Sequence, residues 1–445
     1  MSIFTDIFKI KLEGDKVIWR IFFIFMIISL LAVYTASYMK AARGGGVDKA
    51  AFDMLIKHAV GFVFGFVVMY FVHKRDYRII FRWSNIILVA SLILVSLLYT
   101  KYGVSKNDAV RWVKLGSFSF QPGEIAKFAL IIFIAKQLAM NQKDIGNKKK
   151  VLYPIAAVTF IMVALLWKSG FSTVLFLLLI AFVMLILGRL PWKQIFAIIG
   201  IGSIAGIIML GLALKSPDTL GNRGGTIQTR LVTFAPPLKQ YANVISTKSD
   251  SENKLQQHRA KTAVALGKTP AGPGNSIMKK YLPEAESDFI FSIIIEEYSA
   301  LFALILVSLY VALLFRAGRI MQKCEYSFPA LLVMGLAFYI VFQAFIHMGI
   351  NVALLPVTGQ TLPFISWGST SLIVSCLSLG VILSISRETA PSQPPPQVEG
   401  KEPPKSPSGG LGAEKTPKGK KKMEEPEKEE IETEEIVENV EEKEI

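Results

Sequence analysis

Residues 281–297 read YLPEAESDFIFSIIIEE, and here three carboxylates stand directly before a strongly apolar run. Glu284, Glu286 and Asp288 fall within five positions, and the residues after them have the composition of a membrane helix. Such acids can sit favourably at a helix N-terminus, where Ser287 or Asp288 would serve as the N-cap. They can also act on a ligand, and the residues alone leave both interpretations open.

The apolar run belongs to a chain with the composition of a membrane protein. The protein has 445 residues, 52% of them hydrophobic, and its mean hydropathy is +0.45. Because the apolar residues form about ten blocks of spanning length, we predict an all-α integral membrane protein. The blocks cover residues 21–38, 56–72, 80–98, 125–139, 152–167, 171–187, 195–214, 289–315, 328–348 and 364–385.

Charge predicts the orientation of these spans. The net charge of +15 would suggest nucleic-acid binding in a soluble protein, but in a membrane protein it fits basic cytoplasmic loops, so no nucleic-acid partner is predicted. With both termini in the cytoplasm, the inner loops carry Lys74, Arg75, Arg78, Arg82, Lys143, Lys148, Lys149, Lys150, Arg189, Lys193, Arg316, Arg319 and Lys323. The two cysteines, Cys324 and Cys376, form neither a disulfide framework nor a metal-ligand pattern.

One predicted outer loop breaks the charge rule. Residues 100–123 carry Lys101, Lys106, Arg111 and Lys114, although outer loops are normally poor in basic residues. Positive charge there needs another reason, and an anionic ligand outside the cell provides one.

Two parts of the chain are predicted to lie outside the membrane. Residues 1–387 form the predicted membrane domain, which includes a large extracytoplasmic loop at residues 215–287 between spans 7 and 8. Residues 388–445 begin rich in proline, pass a basic run and end in glutamates, which predicts a disordered, charged cytoplasmic tail.

Several polar residues are predicted at bilayer depth, where an ionisable group costs roughly 2.5–3.5 kcal/mol on insertion scales. Glu124 and Lys127 are three apart after Pro122, which suits a helix start. The two side chains either neutralise each other on one helix face or direct the cation at a phosphate.

Two further polar groups follow in the later spans. The carboxylates of Glu296 and Glu297 are adjacent and repel, so this pair needs a cation or a proton nearby. Gln343, His347 and Asn351 are each four residues apart, which predicts a polar stripe facing the helix bundle.

Three motifs in this order resemble the SEDS family (shape, elongation, division and sporulation) of membrane peptidoglycan polymerases. They are RWVKLGSFSFQPGEIAK at residues 111–127, LPEAESDFIF at 282–291 with its two following glutamates, and MGINVALLPVTGQTLPFIS at 348–366. Together with the spans, the resemblance covers residues 15–387. The LPEA and GQTLP segments are more similar to division-type members (FtsW) than to elongation-type members (RodA).

The resemblance implies glycosyl transfer on lipid II, the disaccharide-pentapeptide carried on undecaprenyl diphosphate. A sugar 4-hydroxyl would attack the anomeric carbon of the growing chain, and the diphosphate would leave as a β-1,4 bond forms with inversion. The implied location is the cytoplasmic membrane at the division septum, with a class B penicillin-binding transpeptidase and other division proteins as partners. A divalent cation, magnesium or manganese, could assist the diphosphate, although no ligand set for one can be read.

The same resemblance implies roles for individual residues. Asp288 is predicted to be the general base, since the topology puts it at the outer end of the eighth span. Arg111 and Lys127 would supply positive charge to the diphosphate, together with Lys280 or its neighbour Lys279.

Three acids complete the predicted site. Glu124 would orient Lys127, Glu284 would bind substrate or tune the base, and Glu297 is assigned to substrate binding, while a structural role for it beside a cation stays open. Glu286 receives no role.

Other functions remain open from the sequence. A lipid II flippase would also have many spans and intramembrane charges, although an acid at the outer rim favours catalysis over transport. An elongation-type polymerase and a non-catalytic scaffold of the division complex are further alternatives.

Overall fold

The structure is a computed structural model of the chain, and it describes residues 11–37, 47–106, 109–116, 118–198, 200, 211 and 248–389. The predicted tail beyond residue 389, the part of the outer loop before residue 248 and most of the seventh predicted span lie outside the described residues.

Helices make up most of the described chain. In chain order the main helices are α1 (Lys16–Ala36), α2 (Val47–His73), α3 (Arg78–Ser96), α4 (Pro122–Met140), α5 (Tyr153–Leu166), α6 (Phe171–Leu187), α7 (Lys248–Leu266), α8 (Ile290–Tyr298), α9 (Ala300–Gln322), α10 (Ser327–Asn351) and α11 (Ser369–Glu388). Three strands, β1 (Gly103–Lys106), β2 (Ala109–Leu115) and β3 (Phe118–Phe120), lie between α3 and α4. A single helical turn, Met278–Lys280, precedes the acidic motif.

Seven helices among the described residues are long and apolar enough to cross a membrane. They include α1, α9, α10 and α11 whole, part of α2, and α3 and α5 together with adjoining turns, while α6 is a shorter apolar helix. The structure thus confirms a mostly helical, multi-pass membrane protein. The number of ten spans and their orientation stay predictions.

Helix α4 corresponds to the fourth predicted span and carries Glu124 and Lys127. It begins at Pro122, as predicted, and most of its side chains are buried against α3, α6 and α10. Glu124 and Lys127 therefore lie inside the bundle, where other helices can bind them, and not at a lipid-facing surface.

Helices α2 and α11 pack closely through small residues. Gly61 and Gly65 are four apart on α2, a spacing that lets two helix backbones approach. An added Cβ at Gly65 would meet Cys376 Sγ at 2.8 Å, and one at Gly380 would meet the Met69 carbonyl at 2.9 Å. This contact fixes α11 and the chain that leads into it.

Two predictions about the eighth span are wrong. Residues 289–315 do not form one helix, because α8 ends at Tyr298 and Ser299 takes a φ of +87° before α9 begins. Neither Ser287 nor Asp288 caps α8, whose N-cap is Phe289 with no side-chain hydrogen bond from the described residues. The apolar residues directly after the acids, Phe289, Ile290 and Phe291, pack in the core.

The predicted outer loop at residues 100–123 contains a small sheet that the prediction of an all-α fold omitted. The strands are antiparallel in the order β1-β2-β3, with Val113 of β2 opposite Gly103 and Phe120. Residues 109–115 read AVRWVKL and are rich in the valine and aromatic residues that favour strands. The sheet turns Arg111 toward the bundle, where it contacts residues from later in the chain.

A buried polar layer joins α4 to α10. Lys127 Nζ donates to Glu124 Oε1 at 2.8 Å and to Gln343 Oε1 at 3.0 Å. The Tyr339 hydroxyl donates to Glu124 Oε2 at 2.7 Å. Lys127 is 1% exposed, so its ammonium is held by these oxygens and by the face of the Phe176 ring. The predicted ion pair and the inward direction of the polar stripe are both confirmed.

The buried pair gives a stability prediction. The Lys127→Met variant leaves the Glu124 carboxylate without its cation inside the bundle, and we expect a loss of about 3–5 kcal/mol of unfolding free energy. The Glu124→Gln/Lys127→Met double variant removes both charges and should recover most of that loss. The measurement is thermal unfolding of the purified protein in one detergent.

The Lys150→Met variant is the matched control. Lys150 Nζ pairs with Asp144 at 2.6 Å, but both side chains are about half exposed, so its loss should cost at most about 1 kcal/mol. A double variant that is no more stable than Lys127→Met alone would contradict the proposed cost of the unpaired carboxylate.

Candidate active site

The acidic motif folds into a tight turn before α8. The N–H groups of Ser287 and Asp288 donate to the Glu284 carbonyl at 3.0 and 2.9 Å. Glu284 has a φ of +58°, a left-handed conformation that costs a non-glycine residue of order 1–2 kcal/mol. In this turn the Glu286 side chain is buried, while Glu284 and Asp288 keep part of their surface exposed.

Distant residues hold this turn by its backbone. The carbonyl oxygens of residues 286–288 accept hydrogen bonds from the Trp367 N–H (2.9 Å), the Ser366 hydroxyl (2.7 Å) and the Asn351 amide (3.0 Å), respectively. These three donors all belong to the end of α10 or to the segment between α10 and α11. The second and third sequence motifs therefore form one structural unit.

Arg111 joins the first motif to this unit. Its guanidinium donates to the carbonyl oxygens of Ser169 and Thr358, both at 3.1 Å, and to that of Gly359 at 3.5 Å. These acceptors lie before α6 and between α10 and α11, so one side chain fastens three separate parts of the chain.

Gly359 is the point where Arg111 and Asp288 come together. It has a φ of +64°, and an added Cβ would lie well under 3.0 Å from Arg111 Nη1 and 3.2 Å from Asp288 Oδ2. The carboxylate and the guanidinium thus approach the same small space from opposite motifs. Only a residue without a Cβ leaves that space to the two charged groups.

The electrostatics of the pair follow from its position. Burial lowers the pKa of the Arg111 guanidinium, whereas the negative charge of Asp288 acts in the opposite direction. An arginine remains protonated in proteins, so Asp288 has a permanent cation nearby. The arrangement offers a partly exposed carboxylate that can accept a proton and a positive charge beside it.

The polar stripe of α10 supports the loop that contains Gly359. Gln343 Nε2 donates to the Thr361 carbonyl at 3.2 Å, and His347 Nδ1 donates to the Gln360 carbonyl at 2.8 Å. One turn later, Asn351 binds the backbone of Asp288. The stripe therefore sets the distance between the loop and the acidic turn.

Lys127 and Glu124 lie behind this stripe and not at the Arg111–Asp288 pair. Lys127 reaches the Gly359 loop through Gln343, which bonds to Thr361 in turn. The structure thus connects these two predicted residues to the site through a chain of hydrogen bonds.

The remaining predicted residues lie within the acidic turn (Glu284), before it (Lys280) and after it in the chain (Glu297). The Glu284 carboxylate accepts from the Ser287 hydroxyl at 3.3 Å within the turn, and Lys280 is exposed on the helical turn just before it. Glu297 is buried, accepts from the Ser276 N–H at 3.4 Å and lies near the positive charge of Lys279. This cation is the kind of partner that the adjacent glutamates were predicted to need.

Glu296 has a structural position in the same region. Its Oε1 accepts from the N–H groups of Ile277 and Met278 at 2.7 and 3.2 Å, and its Oε2 accepts from the Ser276 hydroxyl at 2.5 Å. It therefore fastens the helical turn at residues 278–280 to α8.

Sequence reasoning missed Gly359, Ser366 and the Ser169 carbonyl as parts of the site. Gly359 could have been predicted from the sequence, because a glycine in a polar, proline-containing loop suggests a positive φ or a close approach of other groups to the backbone. The bonds to Ser169 and Ser366 involve backbone carbonyls, which leave no trace in residue type. Within the described residues, no group of three or more His, Cys, Asp or Glu side chains is placed to hold a metal ion.

Comparison with known proteins extends these observations. The family model FTSW_RODA_SPOVE, described as "Cell cycle protein", matches residues 15–391. A protein of Pasteurella multocida named probable peptidoglycan glycosyltransferase FtsW is 30% identical over 394 residues, which cover 86% of this chain and 93% of that protein. A Bacillus subtilis protein of the same name is 30% identical over 362 residues, covering 80% and 86%.

Solved structures share the fold. A chain from the work titled "Structural coordination of polymerization and crosslinking by a peptidoglycan synthase complex" gives a TM-score of 0.64 at 24% identity, covering 85% of this chain and 99% of that chain. The rod shape determining protein RodA of Thermus thermophilus gives a TM-score of 0.57 at 22% identity, covering 85% and 98%. The family match includes the acidic turn, Arg111 and the Gly359 loop, and the chain therefore belongs to the FtsW/RodA/SpoVE family, the SEDS family that its motifs resemble.

Proposed function

We propose that this protein is a peptidoglycan glycosyltransferase that polymerises lipid II into β-1,4-linked glycan strands. The activity is the one named for its curated relatives. One observation supports placing this activity at the candidate site. Asp288 and Arg111 come together at Gly359, so residues from all three sequence motifs lie in one place.

In the proposed reaction, the Asp288 carboxylate takes the proton of the attacking sugar 4-hydroxyl. The freed oxygen forms a bond to the anomeric carbon of the growing chain as the bond from that carbon to the diphosphate breaks. The electron pair leaves with the undecaprenyl diphosphate, and the anomeric carbon inverts. Asp288 suits the role of base because it is partly exposed and its backbone is fixed by Asn351.

Positive charge near the carboxylate has two proposed tasks. Arg111 holds the Gly359 loop, and its positive charge lies beside the Asp288 carboxylate. Lys280 is exposed beside the acidic turn, and Lys101 and Lys114 are exposed on or next to the small sheet. These lysines would attract the diphosphate groups of substrate and product.

In this proposal Lys127 and the three glutamates, Glu124, Glu284 and Glu297, support the residues that contact the substrate. Glu124 orients Lys127, which supports the Gly359 loop through Gln343. Glu284 shapes the turn, and Glu297 holds the segment before it. Substrate contacts for these residues stay predictions.

A class B penicillin-binding transpeptidase is the proposed partner, and the division septum is the proposed location in the cytoplasmic membrane. The structural likeness to a chain of a peptidoglycan synthase complex supports the partner. The family description as a cell cycle protein and the division-type motifs support the location.

The first prediction about activity concerns the base. We expect the Asp288→Asn variant, purified with its transpeptidase partner and supplied with lipid II, to polymerise at least about 100-fold more slowly than wild type, because an amide cannot accept the proton. The measurement is the amount of glycan polymer formed over time.

The Asp53→Asn variant is the control for the loss of one negative charge. Asp53 is exposed on α2, away from the acidic motif in the sequence, and its variant should polymerise at the wild-type rate. Equal activity of Asp288→Asn and wild type would reject the assignment of the base. Wild-type protein that forms no polymer but moves labelled lipid II across liposomes would favour the flippase.

The second prediction concerns Gly359. In the Gly359→Ala variant the new methyl group must displace Arg111 or Asp288, and we expect kcat/KM for lipid II to fall about 100-fold. The Gly116→Ala variant is matched to it, since Gly116 also has a positive φ (+60°) but an added Cβ there has no neighbour within 4 Å.

The comparison separates backbone strain from displacement of the charged pair. Both variants should lose similar stability from the positive φ, but only Gly359→Ala should lose activity. An equal fall in kcat/KM for the two variants would show that the space at Gly359 is not part of the site.

A further inference from the structure

A groove between α3 and α10 lies at the end of the bundle opposite the acidic turn. It forms an open cavity of about 330 Å³ lined by Tyr77, Arg78, Phe81, Tyr326, Phe328 and Pro329. Helix α3 starts at this groove and ends where the chain leads to the small sheet, and its 19 residues span about 28 Å. The groove is therefore separate from the Arg111–Asp288 pair.

The groove is lined by aromatic side chains, and one of them is exposed at its rim. The rings of Phe81 and Phe328 meet edge to face with centroids 4.9 Å apart, and they form its apolar floor. Tyr326 is 63% exposed at its rim. Aromatic side chains with exposed polar tips are typical of the level where lipid headgroups meet the hydrocarbon.

Two cations reach this groove from different helices. The Arg78 side chain is 69% exposed at the start of α3. Lys136 lies one turn before the end of α4, with its ammonium 5.1 Å from the centre of the Phe81 ring and 3.4 Å from Asn85 Oδ1. Arg78, Phe81 and Asn85 are spaced so that they share one face of α3, and both cations therefore border the same floor.

Two acidic groups, Asp76 and Glu388, lie near Arg78, and the Glu388 carboxylate also pairs with Arg387 Nη2 at 3.6 Å. Asp76 Oδ1 accepts the Arg78 N–H at 2.7 Å just before α3, and its other oxygen is 3.9 Å from Arg78 Nε, at the limit of an ion pair. Lys323 and Glu325 carry opposite charges in the exposed connection beside Tyr326. Lys136 is half-buried and forms no ion pair with any described residue.

We propose that this groove binds the phosphate of an anionic phospholipid, with one acyl chain along the Phe81–Phe328 floor. A phospholipid fits because the site combines two cations with an apolar surface that continues into the membrane. The occupancy would fill the cavity and supply the anion that Lys136 lacks. A free phosphate would meet the cations but leave the aromatic floor uncovered.

The test uses the full-length protein in nanodiscs of phosphatidylcholine with increasing phosphatidylglycerol, and native mass spectrometry to count bound lipid. Wild type should retain phosphatidylglycerol in preference to phosphatidylcholine. In the Arg78→Gln/Lys136→Gln variant the apparent affinity should fall about fivefold for each cation removed. Lys148→Gln/Lys149→Gln, which removes two exposed lysines of another predicted inner loop, should leave the preference unchanged.

Three results would overturn the proposal. The first is equal retention of the two lipids by wild type, and the second is an equal fall in phosphatidylglycerol affinity in the Lys148→Gln/Lys149→Gln control. The third is complete displacement of phosphatidylglycerol by inorganic phosphate at the same concentration. Polymerisation of lipid II by the same samples reports that each variant is folded, since neither cation belongs to the proposed active site. If the double variant does not fold, Arg78→Gln alone carries the test, because its side chain is largely exposed.

Discussion

The candidate site depends on one constraint: three buried polar side chains of α10 require hydrogen-bond partners. Gln343, His347 and Asn351 are fully buried in a bundle whose surroundings offer few polar partners. A polar group left unsatisfied at this depth costs several kcal/mol, so each side chain must find an acceptor or donor in the protein. The partners are backbone carbonyls at Thr361, Gln360 and Asp288, which belong to the two segments that form the site.

This constraint explains how the structure tolerates unfavourable backbone at the site. Glu284 and Phe364 are non-glycine residues with positive φ, and they flank the hydrogen bonds that join the acidic turn to the loop before α11. Such conformations persist when the surroundings over-determine them. Here the carbonyls of three successive residues, 286–288, are each fixed by a donor from elsewhere in the chain. The strained residues thus lie around the turn that positions Asp288, the proposed base.

The sequence predicted the parts of this arrangement that have a period or a fixed spacing. The Glu124–Lys127 pair and the polar stripe follow from helical geometry, and Pro122 marks the start of α4. The small sheet, the break at Ser299 and the bonds of Arg111 were not predictable in this way. Arg111 binds carbonyls that lie 58, 247 and 248 residues away, and a carbonyl is present at every residue, so no pattern of residue types points to it.

For the three acids before α8, the structure contradicts the interpretation that they cap the helix. Helix capping was one of two interpretations that the residues left open, but α8 begins at Ile290 and its N-cap is Phe289. Ser287 instead gives its hydroxyl hydrogen to Glu284, and Asp288 directs its carboxylate to the space at Gly359. A carboxylate that the helix does not use, fixed by its backbone and placed beside a permanent cation, fits the proposed role of Asp288 as a base better than a role in helix capping.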